Sequence, residues 1–215
     1  MRLFSCLAAL LLLSPLATAQ NQFGARLGVT AATVTGDFAT ADAASTRLGF
    51  VGGFYLAFPL RYDLAVQTEV LYTQKGFETD EATIIGAGGT PLSTSAATFE
   101  LTTLDVPLLL KYSASVTSDL DVAPYAGPYV SFELFERLSA DTPTGPVSEE
   151  TDLFTSTDFG FVVGLDLRIQ FSGFAPALGL RYTRSAVNLL EADASSVPDA
   201  TAYNSVFVFF LALRL

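Results

Sequence analysis

The sequence predicts an all-β protein: an eight-stranded antiparallel up-and-down transmembrane β-barrel. Three observations support this fold class. The 215-residue chain is 50% hydrophobic and only 15% charged, with a mean hydropathy of +0.43, whereas roughly a quarter of a typical soluble domain is charged. The apolar residues recur with a period of two, which is typical of strands rather than helices. Connections between the apolar segments alternate between short and long.

The N-terminus predicts a secretory signal peptide over residues 1–19, followed by a single barrel domain over residues 20–215. A positive residue, Arg2, precedes a short apolar run, and Ala17-Thr18-Ala19 forms a small-residue cleavage site. The only cysteine, Cys6, lies inside this segment, so the mature chain offers no disulfide and no thiolate metal site. Beyond it, no stretch approaches the roughly 20 apolar residues that a spanning helix requires.

Strand alternation is clearest in residues 158–171. One face is wholly apolar and consists of Phe159, Phe161, Val163, Leu165, Leu167, Ile169 and Phe171. The opposite face carries small, polar or charged residues apart from Val162. Seven more segments with this division lie at about 23–31, 48–58, 64–77, 99–113, 121–137, 174–186 and 203–215. Each is close to or longer than the roughly 9 to 11 residues that a tilted strand needs to cross a bilayer.

The connections predict which side of the membrane each rim faces. Those at 59–63, 114–120 and 172–173 are short, whereas those at 32–47, 78–98, 138–157 and 187–202 are long and rich in small polar residues. Short periplasmic turns and long extracellular loops are typical of outer-membrane barrels. An even number of strands returns both termini to the periplasmic side.

The segment LDVPLLLKY, residues 104–112, mixes apolar and charged side chains. Strand parity directs Leu104, Leu108 and Tyr112 toward lipid, and Asp105 and Lys111 toward the barrel interior. Because a lipid-facing Arg or Lys near the midplane costs roughly 2 to 4 kcal/mol, charges inside the membrane should face inward.

Eleven charged residues share the inward parity of their strands. They are Arg26, Glu69, Lys75, Asp105, Lys111, Glu133, Asp158, Asp166, Arg168, Arg181 and Arg214. Since an unpaired buried charge is costly, we expect these residues to form a structural ion-pair network that fills the interior. Replacing Arg168 with leucine should then lower thermal stability.

Aromatic residues and prolines give two further expectations. Outward-facing rings near the strand ends predict two interfacial belts, with Phe58, Tyr112, Phe171 and Phe174 beside the short turns and Phe50, Tyr72, Phe132, Phe159 and Tyr182 toward the long loops. Prolines within a strand remove a ladder donor, so local bulges are expected at Pro107, Pro124, Pro128 and Pro176.

Five blocks of sequence resemble a known family. They are GFVGGFYLAFPL (49–60), AVQTEVLYTQKGF (65–77), TTLDVPLLLKY (102–112), VAPYAGPYVSF (122–132) and DFGFVVGLDL (158–167). In order and spacing they resemble the PorT-like outer-membrane β-barrel domain family of Gram-negative bacteria, often labelled porin-like. The resemblance covers nearly the whole mature chain. It implies an eight-stranded barrel in the cell outer membrane, and it implies no defined biochemical activity.

The residue inventory argues against catalysis. The chain has no histidine and no cysteine outside the predicted signal peptide, so Ser-His-Asp and Cys-His sites are unavailable, and we expect neither an enzyme nor a cofactor. An acid–base pair drawn from Glu69, Asp105 and Asp166 is conceivable, but basic residues on the same face favour structural ion pairs. No catalytic or metal site is therefore predicted.

The predicted long loops are acidic and nearly lack basic residues. Their acids are Asp37, Asp42, Asp80, Glu81, Asp141, Glu149, Glu150, Asp152, Glu191, Asp193 and Asp199. Hard cations prefer such oxygen ligands, yet no loop has the spacing of a calcium loop, so solvated acids are favoured. Nucleic acid is not an expected partner, because phosphate contacts need clustered Lys and Arg. The expected partners are outer-membrane lipid, lipopolysaccharide and proteins that contact the acidic loops.

These observations favour a non-enzymatic outer-membrane barrel with a structural or surface-interaction role. Three alternatives remain: a small-solute porin or channel, a barrel component of a secretion or assembly complex, and a soluble lipocalin-like barrel. The last would reverse the parity, with its apolar face inward.

Overall fold

All regular secondary structure in the described residues is β-strand. The computed structural model describes residues 21–36, 44–85, 91–142, 145–150, 155–172, 174–189 and 201–215; the predicted signal peptide lies outside them. The strands are β1 (Gln22–Thr35), β2 (Ala44–Pro59), β3 (Leu64–Ile85), β4 (Pro91–Tyr112), β5 (Ala114–Thr117), β6 (Leu120–Thr142), β7 (Gly145–Glu150), β8 (Thr157–Ile169), β9 (Ala177–Ser185) and β10 (Tyr203–Arg214). Within these ranges no helix is long and apolar enough to span a bilayer.

Eight of these strands close into a barrel. Antiparallel pairing runs in the order β1, β2, β3, β4, β6, β8, β9 and β10, and β10 pairs with β1 to complete the ring. The short strands β5 and β7 pair only with β6. The predicted eight-stranded up-and-down barrel is therefore confirmed, with two short additions to its wall.

The burial pattern follows the predicted parity. On β8, Val162 and Asp166 are each 2% exposed, whereas Phe161 and Val163 are 60% and 52% exposed. On β4, Asp105 and Lys111 are buried while Leu110 is 54% exposed. Apolar side chains thus cover the outside of the barrel and charged ones occupy its interior, the reverse of a lipocalin-like barrel.

Two of the predicted long loops are largely strands. β3 and β4 continue as a hairpin to Ile85 and Pro91, and β6 runs to Thr142 and pairs with β7. The expectation of loops at 78–98 and 138–157 is wrong to that extent. Outside a bilayer neither face of a strand must be apolar, so period-two hydrophobicity does not signal these extensions. Together they form a four-stranded extension of the wall, β3-β4-β6-β7, which we call the extracellular sheet.

The expected bulges at prolines are also wrong. Pairing of β3 with β4 is interrupted opposite Pro107 and resumes in the same register, and pairing of β4 with β6 is interrupted opposite Pro128 in the same way. Each of these prolines keeps its register with the other neighbouring strand, and Pro124 stays in register with β8. Pro176 precedes β9. A missing N–H therefore weakens one ladder locally without inserting a residue.

Candidate functional site

The barrel interior contains most of the predicted charged set. Eight residues, each between 1% and 8% exposed, lie inside: Arg26, Glu69, Lys75, Asp105, Lys111, Asp158, Asp166 and Arg181. They provide four positive and four negative charges. Glu133 and Arg168 are half-buried and Arg214 is exposed. The eight buried residues form two groups along the barrel.

The first group is centred on Glu69 of β3. Nη2 of Arg181 lies 2.9 and 2.8 Å from its two carboxylate oxygens, and Nε2 of Gln67 donates at 2.5 Å. Nη1 of Arg26 is 3.5 Å from Oε1 of Glu69. β3 and β9 are four strands apart in the ring of eight, so the Arg181–Glu69 pair joins opposite walls of the barrel.

A second carboxylate, Asp166 of β8, completes this group. It accepts hydrogen bonds from Nη2 of Arg26 on β1 and from Nζ of Lys111 on β4, the latter at 2.5 Å. Arg26, Glu69, Lys111, Asp166 and Arg181 are called the central cluster below. Its ion pairs connect five of the eight barrel strands.

Aromatic rings surround the cations of the central cluster. The Arg26 guanidinium lies 5.4 Å from the ring centre of Tyr55 and 5.2 Å from that of Phe210, and the Arg181 guanidinium lies 4.7 Å from Phe210 and 5.2 Å from Tyr125. Nε of Arg181 donates to the Tyr125 hydroxyl at 3.3 Å. Nε and Nη1 of Arg26 are buried without a hydrogen-bond partner among the described residues, and cation–π contact with these rings offsets part of that cost.

Three interior tyrosines lie against glycines of neighbouring strands. The cross-strand pairs are Tyr55–Gly24, Tyr125–Gly164 and Tyr129–Gly160. A Cβ atom added at Gly164 would overlap the Tyr125 ring, and one at Gly160 would lie 2.6 Å from Cε1 of Tyr129. Glycine thus provides the space that lets each ring lie against the barrel wall.

The second group of charges lies nearer the extracellular rim. Nζ of Lys75 donates to Oδ1 of Asp105 at 2.8 Å and to Oγ of Ser131 at 3.1 Å. The same carboxylate oxygen accepts from Thr103 at 2.8 Å and from Ser131 at 2.5 Å. This carboxylate is therefore held by one cation and two hydroxyls.

Neutral hydroxyl groups hold the remaining acid, Asp158. Its Oδ2 atom accepts from the Tyr129 hydroxyl at 2.7 Å and from Ser185 at 2.8 Å. Nζ of Lys75 lies 5.3 Å from the centre of the Tyr129 ring. Lys75, Asp105, Tyr129, Ser131 and Asp158 are called the outer cluster below.

The space between the two clusters is almost filled. A cavity of about 10 Å³ lies there, lined by Thr73, Lys75, Asp105, Arg181 and Thr183 with apolar residues of β2, β3 and β10. That volume holds roughly one water molecule. Among the described residues, the side chains around this cavity thus leave room for about one water molecule between the two clusters.

Sequence parity did not distinguish network members from rim residues. The Arg168 side chain forms no ion pair or hydrogen bond with the described residues, so we now expect a larger stability loss from replacing Arg181 than from replacing Arg168. Neutral partners such as Gln67, Tyr129 and Ser131 were missed because only charges were considered, although their inward parity was visible in the sequence. The side chains of the acidic loop residues lie outside the described part of the chain.

The three acids considered for acid–base chemistry are all paired with cations. Glu69 binds Arg181, Asp105 binds Lys75, and Asp166 is shared by two cations. The described residues contain no group of three or more Asp, Glu, His or Cys side chains placed to hold a metal ion.

A family comparison decides the class of this protein. The family described as outer membrane protein beta-barrel domain matches residues 18–191. The chain belongs to this family. The protein is accordingly an outer-membrane β-barrel, and its localisation is the cell outer membrane.

Several solved outer-membrane barrels are similar to this one in structure. Ail of Yersinia pestis, solved with the heparin analogue sucrose octasulfate, is 11% identical, with 92% of this chain and 100% of that chain covered and a TM-score of 0.44. Neisserial surface protein A is 14% identical, with coverage of 90% and 97% and a TM-score of 0.45. OprG of Pseudomonas aeruginosa is 11% identical, with coverage of 91% and 94% and a TM-score of 0.44. No curated protein matches the sequence.

Proposed function

We propose that this outer-membrane barrel is a non-enzymatic structural or surface-interaction protein whose interior is closed by its central cluster. The observation that carries the proposal is the Arg181–Glu69 pair, which joins strands on opposite sides of the ring at 2.8 Å. An eight-stranded barrel leaves an interior just wide enough for side chains to fill. Charged side chains from five strands meet in that space, so little room is left for a solute.

The surface-interaction part of the proposal is supported by the extracellular sheet. β3 and β4 have 22 residues each and β6 has 23, about twice the length that a tilted spanning strand needs. The surplus lies on the side of the long, acidic loops. A rigid sheet presented beyond the membrane is suited to contact with another protein or with lipopolysaccharide.

Passage of small solutes is the alternative function, and the polar lining of the small inter-cluster cavity is the observation that favours it. Ions could pass Lys75, Asp105 and Arg181 only if the ion pairs between the interior side chains opened. The finer assignment to PorT-like barrels, and with it a role in a secretion or assembly complex, rests on the sequence blocks alone.

Planar-bilayer recording of the purified protein tests the closed interior. The wild-type barrel should show no steady ion conductance. The double variant Glu69→Ala/Arg181→Ala, which removes the bridge, should conduct, whereas Arg61→Ala in a short periplasmic turn should behave as wild type. A steady, reproducible conductance of the wild-type barrel would contradict the proposal and favour the channel.

The surface role needs a separate measurement. A variant in which residues 82–95 are replaced by a two-residue Asn-Gly turn keeps the barrel strands and shortens the extracellular sheet. Proteins recovered with the wild-type barrel from native outer membranes should be lost with this variant. Recovery of the same proteins at the same level would count against a role for the sheet.

A further inference from the structure

The periplasmic rim of the barrel has a notch between the end of β10 and residues 174–176, which stay hydrogen-bonded to the end of β8. β9 begins only at Ala177, whose partner on β10 is Ala212, so the last residues of β10 extend past the end of β9. The result is an open groove of about 400 Å³, lined by Gln170, Phe171, Phe174, Ala175, Arg214 and Leu215. Its place at the rim puts it where the lipid-facing surface meets the periplasm.

One side of the groove is apolar and continuous with the lipid-facing surface. Phe171 and Phe174 are 53% and 59% exposed, and their rings stack with centroids 5.1 Å apart. Leu215 is 71% exposed, and Leu178 and Leu213 extend the same outer face toward the membrane. Aromatic side chains at such a boundary typically lie at the level of the lipid headgroups.

The other side of the groove carries the guanidinium of Arg214. Among the described residues, the exposed Arg214 side chain has no ion pair or hydrogen bond. Asp121, a buried acid of the same rim, already accepts from Ser115 at 2.7 Å and from Gln170 at 3.0 Å. Arg214 therefore offers the groove one exposed cation without a partner among the described residues, on a chain whose net charge is −11.

We propose that this groove binds the headgroup of an anionic glycerophospholipid of the periplasmic leaflet. A guanidinium matches a phosphate in both charge and bidentate geometry. The lipid's phosphate contacts Arg214, and its acyl chains continue over Phe171 and Phe174 onto the outer wall. The occupant is a lipid rather than a free anion, because Arg214 and the exposed rings of Phe171 and Phe174 line the same groove. This site is independent of whether the interior is closed.

Native mass spectrometry of the detergent-solubilised barrel tests the site. The protein is titrated with phosphatidylglycerol, and separately with phosphatidylcholine of the same acyl chains. We expect wild-type protein to bind one phosphatidylglycerol about tenfold more tightly than phosphatidylcholine, in line with a charge-assisted hydrogen bond. Arg214→Gln should abolish most of this preference. Arg61→Gln removes the same charge from a distant turn of the same rim and should leave it unchanged.

Three outcomes would overturn the proposal. Equal effects of Arg214→Gln and Arg61→Gln would indicate non-specific attraction. Equal affinity of the wild-type protein for the two lipids would show that the groove does not discriminate between headgroup charges. Displacement of the lipid by equimolar inorganic phosphate would indicate a free-anion site. Phe174→Ser provides a second test, because it should weaken the binding of both lipids while leaving the ratio of their affinities unchanged.

Discussion

Arg181 on β9 binds both carboxylate oxygens of Glu69 on β3, with its Nη2 atom at 2.9 and 2.8 Å, although these strands lie on opposite sides of the ring. Neighbouring strands are already held by backbone ladders. A bond across the diameter instead fixes walls that share no ladder. The side chains of both residues are at most 3% exposed, so water cannot replace either partner.

Replacing Arg181 with leucine should strongly destabilise the barrel. The change leaves the Glu69 carboxylate buried, with only Gln67 and the more distant Arg26 as partners, and loss of one partner of a buried pair typically costs about 3–5 kcal/mol. Urea unfolding of the protein in phospholipid vesicles, followed by circular dichroism, measures this loss. Arg168→Leu is the matched control and should cost under about 1 kcal/mol of stability. Equal losses in the two variants would contradict the distinction between residues of the central cluster and residues of the rim.

Neutralising Asp105 should be far more damaging than neutralising Glu100. Asp105→Asn leaves the Lys75 ammonium without its anionic partner, and the Lys75 side chain is only 1% exposed. Glu100→Gln instead breaks the Arg47–Glu100 ion pair, whose side chains are 12% and 38% exposed. Exposed pairs contribute about 0–1 kcal/mol, and broken buried ones several times as much. The free energies of unfolding of the two variants, compared in the same vesicles, check this contrast. Similar free energies of unfolding would mean that burial of the outer cluster does not determine its contribution to stability.

Gly164→Ala should destabilise the barrel through a clash with the Tyr125 ring. The added methyl group points inward onto a ring that packs against Arg181, and overpacking of this kind costs about 1–3 kcal/mol. Gly52→Ala is the control, since its methyl group would meet only the outer atoms of Phe50 and Leu27, at 2.9 to 3.1 Å. Thermal unfolding in detergent should show a clear shift for the first variant and a small one for the second. The reverse order would refute the packing of tyrosine on glycine.

Alternate positions of β8 should meet different surroundings. Spin labels attached at Val163→Cys, Leu165→Cys and Leu167→Cys should be relaxed by dissolved oxygen more than by a water-soluble nickel chelate, because these side chains face hydrocarbon. A label at Val162→Cys should respond weakly to both, because that position is 2% exposed inside the barrel. Greater access of the nickel chelate at the three outer positions would contradict the membrane assignment.

The sequence predicts the parity of every barrel strand because side chains alternate between two environments of opposite polarity, as residues 104–112 and 158–171 illustrate. It does not predict which acid meets which base. Arg168 and Arg181 have the same parity, but only Arg181 reaches Glu69, and that depends on how the closed ring brings β3 and β9 into reach of each other. One strand's pattern carries no such information.

The extracellular sheet was missed for a related reason. Beyond the bilayer a strand need not keep one face apolar, so residues 78–98 read as a polar loop although β3 and β4 stay paired as far as Ile85 and Pro91. The expected bulges at the prolines show a second limit of prediction from sequence. A missing donor at Pro107 or Pro128 is visible in the sequence, but whether the ladder bulges or merely skips a pair depends on the neighbouring strands.

A double-mutant cycle on Glu69 and Arg181 tests most directly whether this cross-barrel pair holds the interior together. Glu69→Gln, Arg181→Gln and the double variant are unfolded in the same vesicles as the wild type. The account predicts a coupling free energy of about 2 kcal/mol or more, with the double variant no less stable than the worse single one. Losses that add to within about 0.5 kcal/mol would contradict it.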